Sequence, residues 1–194
     1  MADGTKRMGR RGVIAAAAAA PLLWNLSAGA RALRAATPCG AGATPPNPEG
    51  PFYSPDSPRR QSLRDPGMAG VPIVVTGVVL SPECRPLPGA VLDFWQADAD
   101  GAYDTAGYRL RGHQFADENG RYRLETILPG NYGPRTRHIH VTVLDPGMRP
   151  LTTQLYFPGE PRNRTDPLYR PGLLVSGDPA GRGELYFDFL LARE

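Results

Sequence analysis

Two of the chain's three histidines, His138 and His140, stand two residues apart. Side chains on a β-strand alternate between faces, so both imidazoles point one way and Ile139 points the other. Two imidazoles aimed at one point from a rigid strand are a common way to hold a transition metal. A third ligand is still needed. The usual one on a β-scaffold is a carboxylate, and no Asp or Glu stands where that arrangement would put it. Tyrosines on turns stand out instead: Tyr132 within Pro129-Gly-Asn-Tyr-Gly-Pro134, and Tyr103 within Asp100-Gly-Ala-Tyr-Asp104. A phenolate is a hard anionic oxygen that suits Fe(III) better than Fe(II) or Zn(II). A coordinating cation also deprotonates a group whose free pKa is about 10. Each feature alone has a plainer reading, as surface histidines in a sheet or packed corner tyrosines. Convergence on one turn and the strand after it favours the metal.

The elements that must position these groups are short strands. The chain has 194 residues with 22 Pro and 23 Gly, many of them in turn-like clusters. Between the clusters lie β-branched and aromatic runs: Val71 to Leu80, Ala90 to Gln96, Gly120 to Ile127, His138 to Asp145, Thr152 to Phe157 and Glu184 to Leu191. In Gly120 to Ile127, Tyr122, Leu124 and Thr126 alternate with Arg121, Arg123 and Glu125. In the last run Leu185, Phe187, Phe189 and Leu191 share a face. A polar loop is expected from Ala97 to about Gly112. No helical periodicity, repeat or second domain is evident, so residues 71–194 are expected to form an all-β, antiparallel β-sandwich with long Pro/Gly-rich loops. Residues 33–70, rich in Pro, Gly, Arg and Ser, are expected to wrap that domain as an extended arm, docked through Phe52 and Tyr53.

The sequence pI of about 9.1 suggests nucleic acid until the charge is located. Five of the 22 basic and one of the 19 acidic side chains fall in residues 1–32, leaving 17 basic against 18 acidic in the remainder. That balance provides no basic stripe for phosphates. Lys6-Arg-Met-Gly-Arg10-Arg11, the alanine-rich run from Gly12 to Leu26 and the small residues Ala28 to Ala32 read as a cleavable twin-arginine-like signal peptide over residues 1–32. Export to the periplasm is the expected localisation. In that compartment the two cysteines, Cys39 and Cys84, are candidates for a disulfide.

Taken together, Glu49-Gly-Pro-Phe-Tyr53, Leu87-Pro-Gly-Ala-Val-Leu-Asp-Phe-Trp-Gln96, Asp100-Gly-Ala-Tyr103, Arg111-Gly-His-Gln-Phe-Ala-Asp117, Leu128-Pro-Gly-Asn-Tyr132, Arg135-Thr-Arg-His-Ile-His140 and Leu151-Thr-Thr-Gln154-Leu-Tyr-Phe resemble the intradiol ring-cleavage dioxygenases. The likeness runs from about residue 44 to 191 in family order, closest to the protocatechuate and catechol type. It implies a non-haem Fe(III) held by Tyr103, Tyr132, His138 and His140. It also implies Arg135 steadying charge on the substrate, Gln154 beside the iron, and Pro51 and Tyr53 lining the pocket. A catechol-type diol and O2 are the implied partners, with ring opening between the hydroxylated carbons to a muconate-type diacid. A homo-oligomer is compatible with the sequence. The helical N-terminal region of the catechol enzymes has no counterpart here, and Thr136-Arg137 replaces the usual small or proline residues before the histidines. Arg137 suits a carboxylated catechol or a solvent-facing position equally. His113 reads as a rim or structural residue, Tyr108 as a weaker rival to Tyr103, and Trp95 as core.

Two other readings compete. A metal-free, prealbumin-like β-sandwich binding module accounts for the Leu-Pro-Gly turns, but not for the histidine pair and the turn tyrosines. A two-histidine hydrolase or Fe(II) oxygenase requires a carboxylate that the sequence does not offer near the pair.

Overall fold

The computed structural model describes residues 1–2, 42–181 and 184–194. Residues 3–32 of the expected signal segment, and Cys39, lie outside the described residues. Cys84 is disulfide-bonded.

The strands are β1 Pro72–Leu80, β2 Val91–Gln96, β3 Arg111–Phe115, β4 Arg121–Ile127, β5 His138–Leu144, β6 Leu151–Tyr156, β7 Leu185–Tyr186 and β8 Phe189–Leu190, the longer of them mostly from the runs of β-branched and aromatic residues. One sheet has the order β4-β1-β7 with β8 also paired to β1, and the other has the order β3-β2-β5-β6. Period-2 alternation turns one face of each sheet inward. Ile73, Val75, Val79 and Leu124 of the first sheet share a core with Leu92, Phe94, Ile139, Val141 and Leu155 of the second. The expected all-β sandwich is what forms.

The second sheet also buries one end of its outer face, and that end carries the chemistry. Cross-strand partners share a face. The register Trp95↔Arg111, Trp95↔His140 and His140↔Gln154 therefore lays Arg111, Trp95, His140 and Gln154 in one row across four strands, and His138↔Tyr156 begins the next. Arg111, His138, His140 and Gln154 are all buried. Their cover includes the arm. Backbone hydrogen bonds hold Thr44 to Leu190, Asn47 to Thr152, Arg60 to His113 and Leu63 to Glu125, so the arm crosses from one sheet to the other. Leu63 inserts fully into the core.

The strands differ from the expected ones in three places. Residues 111–115, placed mostly in or beyond a polar loop by sequence, form edge strand β3 antiparallel to β2. Arg-Gly-His-Gln-Phe carries no apolar alternation because its inner positions are Gly112 and Gln114, so the periodic signal is missing. The last strand is broken into β7 and β8, because the Asp188 carboxylate, rather than a carbonyl, accepts the hydrogen bond of Val78 N–H at 2.8 Å. Both pieces run parallel to β1, so the first sheet is mixed and only the second is antiparallel throughout. Two short 3-10 turns, Pro161–Arg164 and Pro171–Leu173, lie in the excursion after β6.

Because Leu63 fills core volume from the arm, Leu63→Ala is expected to lower unfolding free energy by about 2–5 kcal/mol at unchanged m-value. Urea denaturation measures this. A loss under about 1 kcal/mol would mean that the arm is not part of the cooperative core.

Candidate active site

Three donor atoms meet on the outer face of the second sheet. His138 Nε2 lies 3.1 Å from His140 Nε2, and Tyr103 Oη lies 3.2 Å from the first and 3.1 Å from the second. The histidines arrive by strand periodicity. Tyr103 arrives on a loop that Asp98 folds back by accepting from the backbone N–H of Asp100 and Ala102. That loop touches the Tyr132 turn through two glycines. A Cβ on Gly101 would stand 2.1 Å from the Asn131 carbonyl oxygen, and one on Gly130 would stand 2.4 Å from Gly101 N. No side chain fits there, which is the physical reason for Gly in both tyrosine turns.

Each ring is fixed differently. His138 Nδ1 lies 2.7 Å from the Thr136 carbonyl. A carbonyl only accepts, so Nδ1 carries the proton and Nε2 presents its lone pair to the cluster. His140 is located by stacking on Trp95, at 4.9 Å and 8°, while its own Nδ1 is buried without a hydrogen-bond partner among the described residues. Tyr103 is held by Phe52 of the arm, stacked at 4.3 Å and 11°. Arg111 ties the two segments together, donating to the Phe52 carbonyl at 2.5 Å and to the Asp104 carbonyl at 2.6 Å.

Protonation follows from burial. Desolvation lowers His138 to about 4, with the Thr136 carbonyl opposing and the Arg135 charge adding to the shift. Desolvation, then the neighbouring His138 and the Arg135 charge, hold His140 well below the usual imidazole value. The Tyr103 phenol is pushed up by desolvation, against the pull of Arg135 and Arg111. Near neutrality the set is therefore two neutral imidazoles and one phenol.

Three close pairs then share at most two protons, so one pair is necessarily unbonded. A cation resolves this by giving every lone pair a partner and by displacing the phenolic proton. Spacing agrees. Donors bonded at about 2.1 Å are separated by about 3.0 Å at right angles and by about 3.4 Å at the tetrahedral angle. Among the described residues no three His, Cys, Asp or Glu side chains group as a metal site, so the phenol is the third donor available. The residues fit a ferric ion, which favours imidazole and phenolate together.

The other residues singled out from sequence fall around this point. Tyr132 stands at the rim, 38% exposed, edge-on to Phe52 at 5.1 Å and to Tyr103 at 5.5 Å. Its hydroxyl is outside the three-atom cluster. Pro51 is exposed on the arm next to Gly50, where a Cβ would meet His140 Cε1 at 3.5 Å. Arg135 Nη2 donates to Gln154 Oε1 at 2.6 Å and to Tyr156 Oη at 3.2 Å. Gln154 Nε2 donates to the Pro48 carbonyl at 2.7 Å. Tyr53 is not brought to the cluster. Its ring packs on Trp95 at 5.0 Å and its hydroxyl donates to Asp93, so one aromatic ring separates it from His140. Arg137 pairs with Glu160 at 3.1 Å. Tyr108 donates to the Pro55 carbonyl and His113 lies against Ser57, so neither is a ligand candidate.

A family model described as Dioxygenase matches residues 48–176. The chain is 33% identical over 166 residues to catechol 1,2-dioxygenase of Acinetobacter baylyi, covering 69% of this chain and 53% of that protein. It is 31% identical over 179 residues to 6-chlorohydroxyquinol 1,2-dioxygenase of Cupriavidus pinatubonensis, covering 77% and 65%. The chain belongs to the intradiol ring-cleavage dioxygenase family. Among solved structures, the dioxygenase domain of a dioxygenase–carbohydrate-binding protein fusion from Streptomyces sp. SirexAA-E is 53% identical with a TM-score of 0.75, over 79% of this chain and all of that one. The 3-chlorocatechol 1,2-dioxygenase of Rhodococcus opacus 1CP is 29% identical with a TM-score of 0.73, over 78% of this chain and 73% of that one. The chain spans about half the length of the first curated intradiol relatives it matches.

Several supports of this intradiol-type site carry no sequence signal of their own. Trp95 reads as core and is also the shelf under His140. Phe52 was expected to dock, and its contact is the Tyr103 ring. Asp166, which accepts from Arg135 Nε at 2.9 Å, is one carboxylate in a polar excursion, with no spacing to mark it.

Protonation of His138 is the test of the buried, neutral geometry. Its folded value of about 4 lies below the unfolded one of about 6.5. Above pH 6.5 both states are neutral and nothing is lost. As pH falls from 6.5 to 4 the unfolded state binds the extra proton, and stability drops by about 3 kcal/mol before levelling. Chelator-treated protein is expected to show this slope, and His138→Gln to show less of it. Equal slopes would contradict the assignment.

Proposed function

We propose that the protein is an intradiol dioxygenase that opens an aromatic ortho-diol between its two hydroxylated carbons, incorporating both atoms of O2 to give a muconate-type diacid. The observation that carries this reading is the convergence of Tyr103 Oη, His138 Nε2 and His140 Nε2 within 3.1–3.2 Å. With Tyr132 added from the rim, these residues would hold a non-haem Fe(III). That ion supplies Lewis acidity toward the diol oxygens and electronic access to O2.

The chain's own residues do the rest. Tyr132, exposed and free of the cluster's hydrogen bonds, would complete the donor set from the rim, and its Oη would be the base to which an arriving diol gives a proton. His138, His140 and Tyr103 stay in place, because the Thr136 carbonyl, the Trp95 face and the Phe52 face hold them. Arg135 presents a guanidinium to the negative charge that develops on the ring, in a pocket where burial strengthens that attraction. Gln154 keeps Arg135 oriented and fastens the arm through the Pro48 carbonyl. The arm at Gly50 and Phe52 closes over the imidazole and phenol edges and keeps bulk water from them. Arg137 is already neutralised by Glu160, which favours an uncharged catechol over a carboxylated one. Export to the periplasm belongs to the same proposal and rests on residues 6–32.

Iron-loaded protein given catechol is expected to consume one O2 per diol and release the ring-opened diacid, as followed by an oxygen electrode and mass spectrometry. Tyr132→Phe should bind iron and lose activity by about 100-fold. No uptake with any simple catechol, or a product cleaved beside rather than between the oxygenated carbons, would overturn the proposal.

A further inference from the structure

The excursion after β6 holds the turn that carries Arg135 at five points. Arg162 donates to the Gly133 carbonyl at 2.8 Å. Asp166 accepts from Arg135 Nε with both oxygens at 2.9 Å and from Thr136 N–H at 2.9 Å. Asn163 Oδ1 accepts from Thr136 Oγ1 at 2.9 Å, and Glu160 pairs with Arg137 at 3.1 Å. Every residue from Gly133 to Arg137, Pro134 excepted, is held from residues 160–166, Gly133 and Thr136 by their backbone and the two arginines by their side chains. The Asp166 side chain has no exposed surface, against 15% for Arg135. Leu168 N–H adds a further donor to the same carboxylate at 2.9 Å.

From this we infer that Asp166 is a positioning residue for Arg135, and that the Glu160–Asp166 excursion exists to set where that guanidinium points. The inference rests on the functional reading above. Its logic is a division of one side chain. Asp166 occupies Nε, and Gln154 and Tyr156 occupy Nη2. Among the described residues Nη1 has no hydrogen bond to protein, so it is the corner left for substrate. Donation from Nε to Asp166 at one edge and from Nη2 to Gln154 at another fixes the guanidinium plane, which neither contact does alone. The carboxylate also balances a buried cation that would otherwise sit uncompensated beside the two imidazoles. Tyr156 Oη lies at the hub of this network, receiving Asn47 Nδ2 at 2.9 Å and facing the Gln154 and Leu168 carbonyls at 2.9 Å.

Asp166→Asn keeps size and removes both the charge and the two-oxygen acceptor. In the iron-loaded full chain it is expected to lower kcat on catechol by about 10- to 100-fold, with KM changed by less than about threefold. A merely structural residue would not give the second result. In an Arg135→Ala background the same change should alter kcat by less than about twofold, because the group it positions is gone. The metal-free protein supplies a readout independent of activity. The Arg135 Nε–H proton resonance should exchange slowly in the wild type and rapidly in Asp166→Asn, with the β5 amide signals unmoved. If Asp166→Asn does not fold, Asn163→Ala loosens the same turn without stranding a charge, and about a threefold loss of kcat is expected. Unchanged kcat in an active enzyme, effects that multiply with Arg135→Ala, or an unchanged Arg135 resonance would each overturn the inference. Wild-type protein inert toward every catechol would instead remove the functional proposal and leave the resonance test to decide the positioning.

Discussion

Two imidazole nitrogens and a phenol oxygen, taken out of water and held about 3 Å apart, cannot bond in all three pairs at once. At most two protons lie among three close pairs, so one pair stands in contact with no proton between its atoms unless a cation sits among them. The remainder of the domain can be understood as what is needed to keep that arrangement from relaxing. A strand aims the histidines, a carbonyl and an indole face fix their rings, and backbone contact between two glycine turns leaves the tyrosine loops no room to drift.

Keeping water out of such a site requires a second buried face on a sheet that already uses its first for the core. The sandwich solves this with the proline-rich arm, which cannot form a strand of its own but can lie across both sheets and donate single backbone hydrogen bonds. Polar residues that would ordinarily face solvent, such as Arg111 and Gln154, are thereby enclosed, and their hydrogen bonds fasten the cover. Arg111 ties Phe52 to the Tyr103 loop, and Gln154 ties Pro48 to Arg135. The same side chains that would be a liability in an open sheet become the fastenings of the site.

Much of this was legible in the sequence, and the limits have physical reasons. Strands with apolar alternation, such as residues 120–127, announce themselves through a local period. β3 does not, because a glycine and a glutamine fill its inner positions. The break between β7 and β8 is set by a hydrogen bond between Asp188 and Val78, 110 residues apart. In the site, His138 and His140 are marked by spacing and the tyrosines by their turns. The groups that hold them are defined by partners far along the chain: Asn47 and Tyr156 are 109 residues apart, and Arg135 and Asp166 are 31. Tyr53 too is placed by partners outside its own segment. Its place in the arm suggested the pocket, yet Asp93 and Trp95 offer it a better-matched hydrogen-bond and ring contact away from the donors.

The most direct test of the central claim is anomalous diffraction at the iron edge from crystals of the iron-loaded chain. One peak within bonding distance of Tyr103 Oη, His138 Nε2 and His140 Nε2 is the expected result, with Tyr132 Oη approaching from the rim. An iron-loaded crystal with its peak elsewhere, or with these three atoms still hydrogen-bonded only to one another, would contradict it.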